Sequence, residues 1–103
     1  MATERGGHGC VINFHRNEIY VVGGENSKRR AMSSCEVYSI NENAWRPMPN
    51  LNLERVDPSL VVLNKCFLYC FGGGSVDASN TIVHSNSIEV LYLETSHRKW
   101  FTL

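Results

Sequence analysis

The chain has 103 residues, of which 43% are hydrophobic and 19% are charged, a composition that fits one small globular domain and excludes a disordered segment. Ten Lys and Arg residues balance ten Asp and Glu residues, so no excess of positive charge favours nucleic acid or an anionic membrane. No apolar stretch approaches the ~20 residues of a membrane helix, and residues 1–9 lack the apolar segment of a secretory signal. We therefore expect a cytoplasmic protein whose thiols stay reduced.

Eight short segments, rich in β-branched and aromatic residues, predict strands, and no segment shows a sustained helical period. In chain order they are residues 10–14, 18–22, 35–40, 44–48, 59–63, 66–71, 87–93 and 99–103. Turn-forming residues, such as those at 16–17, 41–43 and 64–65, separate several of them. Residues 19–22 and 67–71 are apolar on both strand faces, which predicts sheets that are covered on both sides.

The two halves of the chain carry the same residues in the same order. Gly23-Gly24 and Gly72-Gly73 lie 49 positions apart, and three further residue types recur around them. In the first half these are Arg5, Tyr38 and Trp45, and in the second half they are Arg55, Tyr92 and Trp100. The one sizeable length change is the loop after each glycine pair, which grows from residues 25–34 to residues 74–86.

A period near fifty with Gly-Gly, then Tyr, then Trp resembles the Kelch repeat. The resemblance covers nearly the whole chain and implies an all-β fold, with two four-stranded antiparallel blades of a Kelch-type β-propeller at residues 1–54 and 55–103. Propellers typically contain about four to eight blades. We therefore expect a fragment whose remaining blades come from a longer chain or from self-association.

The resemblance also implies structural roles for the recurring residues. The glycines permit close approach of backbones, the Tyr and Trp rings pack between blades, and Arg5 and Arg55 contact the preceding blade. Three alternatives remain open. They are ligand contact by the arginines, aromatic stacking on a ligand, and a nucleotide loop at Gly72-Gly73, which would need a following helix.

Kelch partners dock on the loops that correspond here to residues 25–34, 47–58 and 74–86, so the resemblance implies a protein or peptide ligand at this end. The candidate contacts are Lys28, Arg29, Arg30, Asp57 and Asp77. Their mixed charges favour a partner carrying both signs, with an acidic part near Arg29 and Arg30. The alternative is that these charges only keep the loops soluble.

The chain is accordingly interpreted as a Kelch-repeat protein–protein interaction module, and the resemblance implies a substrate-recognition adaptor of the ubiquitin-ligase receptor or actin-binding type. The alternative is a fragment of a Kelch-fold enzyme, such as a sugar oxidase or a sialic-acid mutarotase. The histidines show no ligand spacing, and no catalytic residue is predicted. Cys10, Cys35, Cys66 and Cys70 form no Cys-x-x-Cys pair, so neither a metal site nor a cofactor is predicted.

Overall fold

The computed structural model describes residues 1, 3–76, 79 and 81–103, and this part of the chain is all-β. The segment 49–58 is the linker between the two halves, and the strands before it are β1 (Gly9–Asn13), β2 (Glu18–Val22), β3 (Cys35–Ser39) and β4 (Ala44–Met48). The strands after it are β5 (Ser59–Leu63), β6 (Phe67–Phe71), β7 (Gly74–Val76), β8 (Ile82–His84), β9 (Ile88–Tyr92) and β10 (Trp100–Thr102). No helix among the described residues is long and apolar enough to cross a membrane.

The strands form two four-stranded antiparallel sheets, which confirms the predicted fold class. The first blade has the order β1-β2-β3-β4, and the second has the order β5-β6-β9-β10. Several connecting turns place Asn residues in the left-handed region, with φ of 51° at Asn17, 50° at Asn43 and 51° at Asn64. Asn adopts this conformation more readily than most residues, which explains why these positions reverse the chain.

A short hairpin within the second blade differs from the sequence prediction, which treated residues 74–86 as a loop. β7 and β8 follow β6 and precede β9 in the chain, and they pair with each other in a separate two-stranded sheet. Gly74 also forms a bridge with Val56 of the linker, through N···O distances of 2.6 and 2.9 Å. The second blade therefore carries an additional element that the first blade does not have.

The two blades pack face to face around one apolar core. The buried members of this core are Tyr20, Val22, Cys35, Val37, Met48, Leu51, Leu68, Cys70, Leu91, Leu93 and Trp100. β1 and β5 lie beside each other, and a Cβ at Gly9 would be 3.0 Å from the Pro58 carbonyl oxygen. The Asn13 side chain donates to the Lys65 carbonyl at 3.0 Å. Close backbone approach and a partly buried hydrogen bond thus join the first blade to the second.

The outer faces of the blades are less well covered than the sequence patterns predict. Tyr20, Val21 and Val22 of β2 are all buried, as expected for a strand covered on both sides. In the second blade, however, Phe71 is 40% exposed and Phe101 is 52% exposed on the face that points away from the first blade. Side-chain burial in this chain is therefore concentrated between the two sheets.

Candidate interaction face

A buried arginine ties the linker to the second blade. Arg55 donates from Nη1 to the carbonyls of Gly72 at 2.9 Å and Ser87 at 3.1 Å. Its Nε and Nη2 lie 3.2 and 3.0 Å from Oε2 of Glu89. Both charged side chains are 0% exposed. Burying an ion pair costs desolvation free energy, which is offset only when its remaining polar atoms are also hydrogen-bonded. Arg55 meets that requirement with two carbonyls and a carboxylate.

Arg5 makes the corresponding contacts in the first blade. Its Nη1 donates to the carbonyls of Gly23 at 2.7 Å and Ser34 at 2.8 Å, and its Nη2 lies 3.0 Å from Glu36 Oε2. The resemblance implied that these arginines contact the preceding blade. The side chain of each bonds the blade that follows it in the chain, where the buried glutamate and the carbonyl acceptors lie. The backbone of Arg55 also contacts the first blade.

The backbone around Arg55 provides the link to the preceding blade. Gly24 N donates to the Arg55 carbonyl at 2.7 Å, and Arg55 N donates to the Met32 carbonyl at 3.2 Å. Nearby, Asn52 donates its backbone N–H to Glu89 Oε1 at 2.6 Å and its side chain to the Trp100 carbonyl at 2.9 Å. The linker is therefore bonded to both blades, by backbone groups on one side and mainly by side chains on the other.

The glycine pairs allow the linker segments to pass close to the ends of β2 and β6. Gly23 has φ of 67°, and a Cβ there would lie 2.5 Å from the Arg55 carbonyl oxygen. Gly73 has φ of 76°, and a Cβ there would lie 2.5 Å from the Val56 carbonyl oxygen. Any side chain at these positions would combine backbone strain with a steric clash. The hairpin strand β7, rather than a helix, follows Gly72-Gly73.

Backbone hydrogen bonds gather several loops at one end of the two sheets. We call this end the loop face; among the described residues it comprises 4–8, 23–34, 49–58, 72–76 and 81–87. Glu25 forms bridges with Gly6 and with Ala31, and Asp57 N donates to the Gly7 carbonyl at 2.6 Å. The Val56–Gly74 bridge joins the linker to the hairpin. The loops that the sequence analysis selected are thus held side by side on a rigid support.

The basic turn on this face presents Lys28, Arg29 and Arg30 to solvent. Asn26 closes the turn, because its Oδ1 accepts from the backbone N–H groups of Lys28 at 2.9 Å and Arg30 at 3.1 Å. Arg29, with φ of 58°, lines a depression of about 410 Å³ together with Glu4 and Glu25. The two other cations lie outside the lining of this depression, so only Arg29 contributes positive charge to it from the turn.

A second depression of about 290 Å³ lies between the linker and the hairpin, and Asp57 lines it together with Glu25, Val56, Ile82 and His84. Asp57 was a predicted contact residue, whereas Asp77 lies outside the described residues. Glu25 was not singled out from the sequence, although it lines both depressions. Its position directly after Gly23-Gly24 is the one signal that could have placed it at this face.

The two tryptophans have different environments. Trp100 is buried between the blades and donates its Nε1–H to the Pro49 carbonyl at 3.0 Å. Trp45 is half-buried on the outer face of the first blade, where its ring centroid lies 5.1 Å from that of Tyr38. Trp100 is therefore packed between the blades, whereas Trp45, its counterpart in the first blade, lies on an open face.

The strand register corrects the sequence alignment at one position. Tyr38 pairs with Trp45, but the residue that pairs with Trp100 is Leu91 and not Tyr92. Tyr92 points to the outer face, where it is 39% exposed and its ring centroid lies 5.1 Å from that of Phe67. Matching two tyrosines shifted the alignment by one residue, which moves a side chain to the opposite face of a strand.

All four cysteines are free. Burial raises the pKa of the Cys35 thiol to about 11 and that of the Cys70 thiol to about 12. Cys10 is exposed and Cys66 is partly buried. Among the residues that the structure describes, no group of three or more side chains suited to a metal ion was found.

These environments predict an order of thiol alkylation by iodoacetamide at pH 8. We expect Cys10 to react first and Cys66 more slowly, while Cys35 and Cys70 stay unmodified until urea unfolds the chain. The thiolate is the nucleophile, and the raised pKa values of the buried thiols keep them protonated. Burial also shields these thiols from the reagent. Peptide mass spectrometry measures each site. Modification of native Cys70 as fast as Cys10 would contradict the packing described here.

Two sheets with four antiparallel strands each, a glycine pair at the end of each second strand and a buried arginine beside it are consistent with the two propeller blades that the Kelch resemblance implies. Residues 6–52 match the Kelch motif family. An F-box/kelch-repeat protein of Arabidopsis thaliana is 34% identical over 64 residues, which is 62% of this chain and 15% of that relative. The first half of the chain thus matches the Kelch motif, and the chain spans about 15% of the length of that relative.

Proposed function

We propose that this chain is a protein-interaction module that binds a protein partner through its loop face. The observation that carries the proposal is the joining of four chain segments by backbone hydrogen bonds at one end of the blades. Rigid support beneath exposed, chemically varied loops is the arrangement with which many scaffolds recognise partners. The exposed Arg29 and Asp57 give this face both signs of charge.

The proposal is one of binding without catalysis. The buried charged groups Arg55 and Glu89 are bonded to each other and to backbone groups of the linker and the second blade. Their polar atoms are thus used within the fold, where they hold the linker in place. Of the exposed charged side chains at the loop face, Glu4, Arg29 and Asp57 line two open depressions, which suits contact with a surface.

We extend the proposal to the recognition part of an adaptor located in the cytoplasm. The support is the Arabidopsis relative, whose name combines an F-box with Kelch repeats. In such an arrangement the Kelch face would select the protein that is bound, and another domain would make the second connection. The charged and apolar residues of the loop face would then determine which protein is bound.

The test is a charge reversal in the basic turn. Arg29→Glu with Arg30→Glu should reduce capture of protein partners from a cell extract by about fivefold or more, because a partner excludes water from these charges. The melting temperature should change by less than about 3 °C, since both side chains are exposed and surface substitutions have small effects. Quantitative mass spectrometry of the captured proteins and a thermal melt provide the two measurements.

The matched control is Lys65→Glu with Lys99→Glu, which makes the same change in net charge. Both lysines are exposed and lie in or beside turns at the other end of the sheets. We expect this control to capture the same proteins as the original chain. Equal capture by the original chain and both double variants would remove the basic turn from the interaction surface.

A further inference from the structure

The depression between the hairpin and the linker has two chemically different sides. Val56 and Ile82 supply apolar side chains, and Gly73, Gly74 and Ser75 also line the depression. Glu25 and Asp57 supply carboxylates. The register of the hairpin places Ile82 and His84 on the same side of β8, because alternate residues of a strand share a face. The cleft therefore combines an apolar surface with two negatively charged side chains.

The two carboxylates are not used by contacts within the described part of the chain. Glu36 and Glu89 are bonded to buried arginines, whereas neither Glu25 nor Asp57 has a side-chain hydrogen bond or ion pair with a described residue. Glu25 is half-buried and Asp57 is exposed at the rim. Two negative charges at the mouth of an apolar cleft attract a cation that also carries apolar surface.

Backbone hydrogen bonds hold the walls of the cleft in place. Val56 N donates to the Gly74 carbonyl at 2.6 Å, and Ser85 N donates to the Gly73 carbonyl at 2.8 Å. On the other side, Glu25 N donates to the Gly6 carbonyl at 2.8 Å. Because the walls are already held in place, ordering the site would cost little of the binding free energy.

We propose that this cleft binds an arginine or lysine side chain of a protein partner. The methylene stem would pack on Val56 and Ile82, and the charged tip would reach the carboxylates of Glu25 and Asp57. At about 290 Å³ the cleft fits one long side chain and is smaller than most small-molecule pockets, which range over roughly 300–1,000 Å³. Ile82 lines the cleft and is 61% exposed, so it would also contact the partner residue beside the basic one, which would therefore be apolar.

This inference rests on the proposed function, since the cleft belongs to the same loop face, and it specifies the chemistry of the partner. Arg29 lies in the neighbouring depression and Glu25 lines both. A partner segment that crosses the two depressions would thus place its basic residue by the hairpin and an acidic residue by the basic turn.

The probes are four capped pentapeptides, Ac-Ala-X-Val-Ala-Ala-NH2, in which X is arginine, lysine, glutamine or glutamate. Titration into the ¹⁵N-labelled chain at low salt should give saturable amide shifts at Gly73, Gly74 and Ser75 with the arginine and lysine peptides. The glutamine and glutamate peptides should bind at least about tenfold more weakly, because they lack the charge that the carboxylates recognise. Fluorescence anisotropy of labelled peptides gives the same affinities if the chain associates at NMR concentrations.

The decisive variant is Glu25→Gln with Asp57→Asn, which should weaken binding of the arginine peptide at least about tenfold. Asp57 has φ of 56°, and asparagine adopts that conformation as readily as aspartate, so the variant should fold normally. The matched control is Glu42→Gln with Glu94→Gln. It removes two exposed carboxylates at the other end of the sheets and should leave the affinity unchanged.

Equal binding of all four peptides would overturn the inference, as would an unchanged affinity in the Glu25/Asp57 variant. Preference for the glutamate peptide, with shifts in the turn at residues 28–30, would also overturn it. These outcomes are distinct from failure of the proposed function. If the basic peptides do not bind but the Arg29/Arg30 variant still loses its partners, the inference fails alone and the loop face keeps its proposed role.

Discussion

Arg55→Met is expected to lower the free energy of unfolding by about 3–5 kcal/mol, the range for breaking one partner of a buried ion pair. The substitution leaves Glu89, which is 0% exposed, without its cation, and it removes the donors to the carbonyls of Gly72 and Ser87. A typical domain has a stability of only about 5–15 kcal/mol, so this loss is a large fraction of the total. Urea titration monitored by tryptophan fluorescence measures it.

An exposed arginine in the first blade provides the control for this experiment. Arg46 pairs with Glu42 across four residues, and both side chains are more than half exposed. Arg46→Met should therefore cost less than about 1 kcal/mol. A further variant, Arg55→Met with Glu89→Leu, should recover part of the loss because it removes the stranded charge. If Arg55→Met costs no more than Arg46→Met, the buried network does not stabilise the blade.

Trp100→Ala is expected to cost about 3–5 kcal/mol, as large aromatic truncations do in packed cores. Trp100 is 3% exposed, lies in the core between the blades and donates to the Pro49 carbonyl. Truncation removes this packing and leaves a cavity at the interface of the two sheets. Denaturant unfolding of the purified chain gives the change in free energy directly.

Trp45→Ala is the internal comparison, because Trp45 pairs with Tyr38 just as Trp100 pairs with Leu91. In the present chain Trp45 is half-buried on an outer face, so we expect its truncation to cost about 1–2 kcal/mol, in keeping with partial burial. In a longer array with a blade packed on that face, the cost should rise to that of Trp100. Equal losses for the two variants in the present chain would show that Trp45 is already covered.

The fold class and the four main strands of each blade could be predicted from the sequence because strands such as Glu18–Val22 combine β-branched residues with clear turn signals at both ends. The β7–β8 hairpin could not. Its strands have three residues each, which is too short for an alternating pattern, and Gly74 also bridges to Val56, which is distant in sequence.

The candidate site was predictable only in part, because its geometry depends on which chain segments meet. The basic turn and Asp57 lie on the predicted face, but Glu25 was not recognised since its role follows from lying between two depressions. The misalignment of Tyr92 with Tyr38 has a similar origin. Residue identity favoured the tyrosine, while the hydrogen-bonded register, which the sequence does not display, selects Leu91.

The buried arginines have a consequence for how repeats of this kind can be exchanged between genes. Arg55 and Glu89 form an ion pair whose two members both lie on the C-terminal side of a cut between residues 54 and 55, so a transplanted second repeat keeps its buried charges matched. Asn52 lies on the other side of that cut and contacts both Glu89 and Trp100. Pro49 and Leu51 lie on that side too, so a recombined array needs an upstream linker that is compatible at several positions. Duplication of a whole repeat together with its linker supplies these contacts, whereas insertion of a repeat behind an unrelated linker does not.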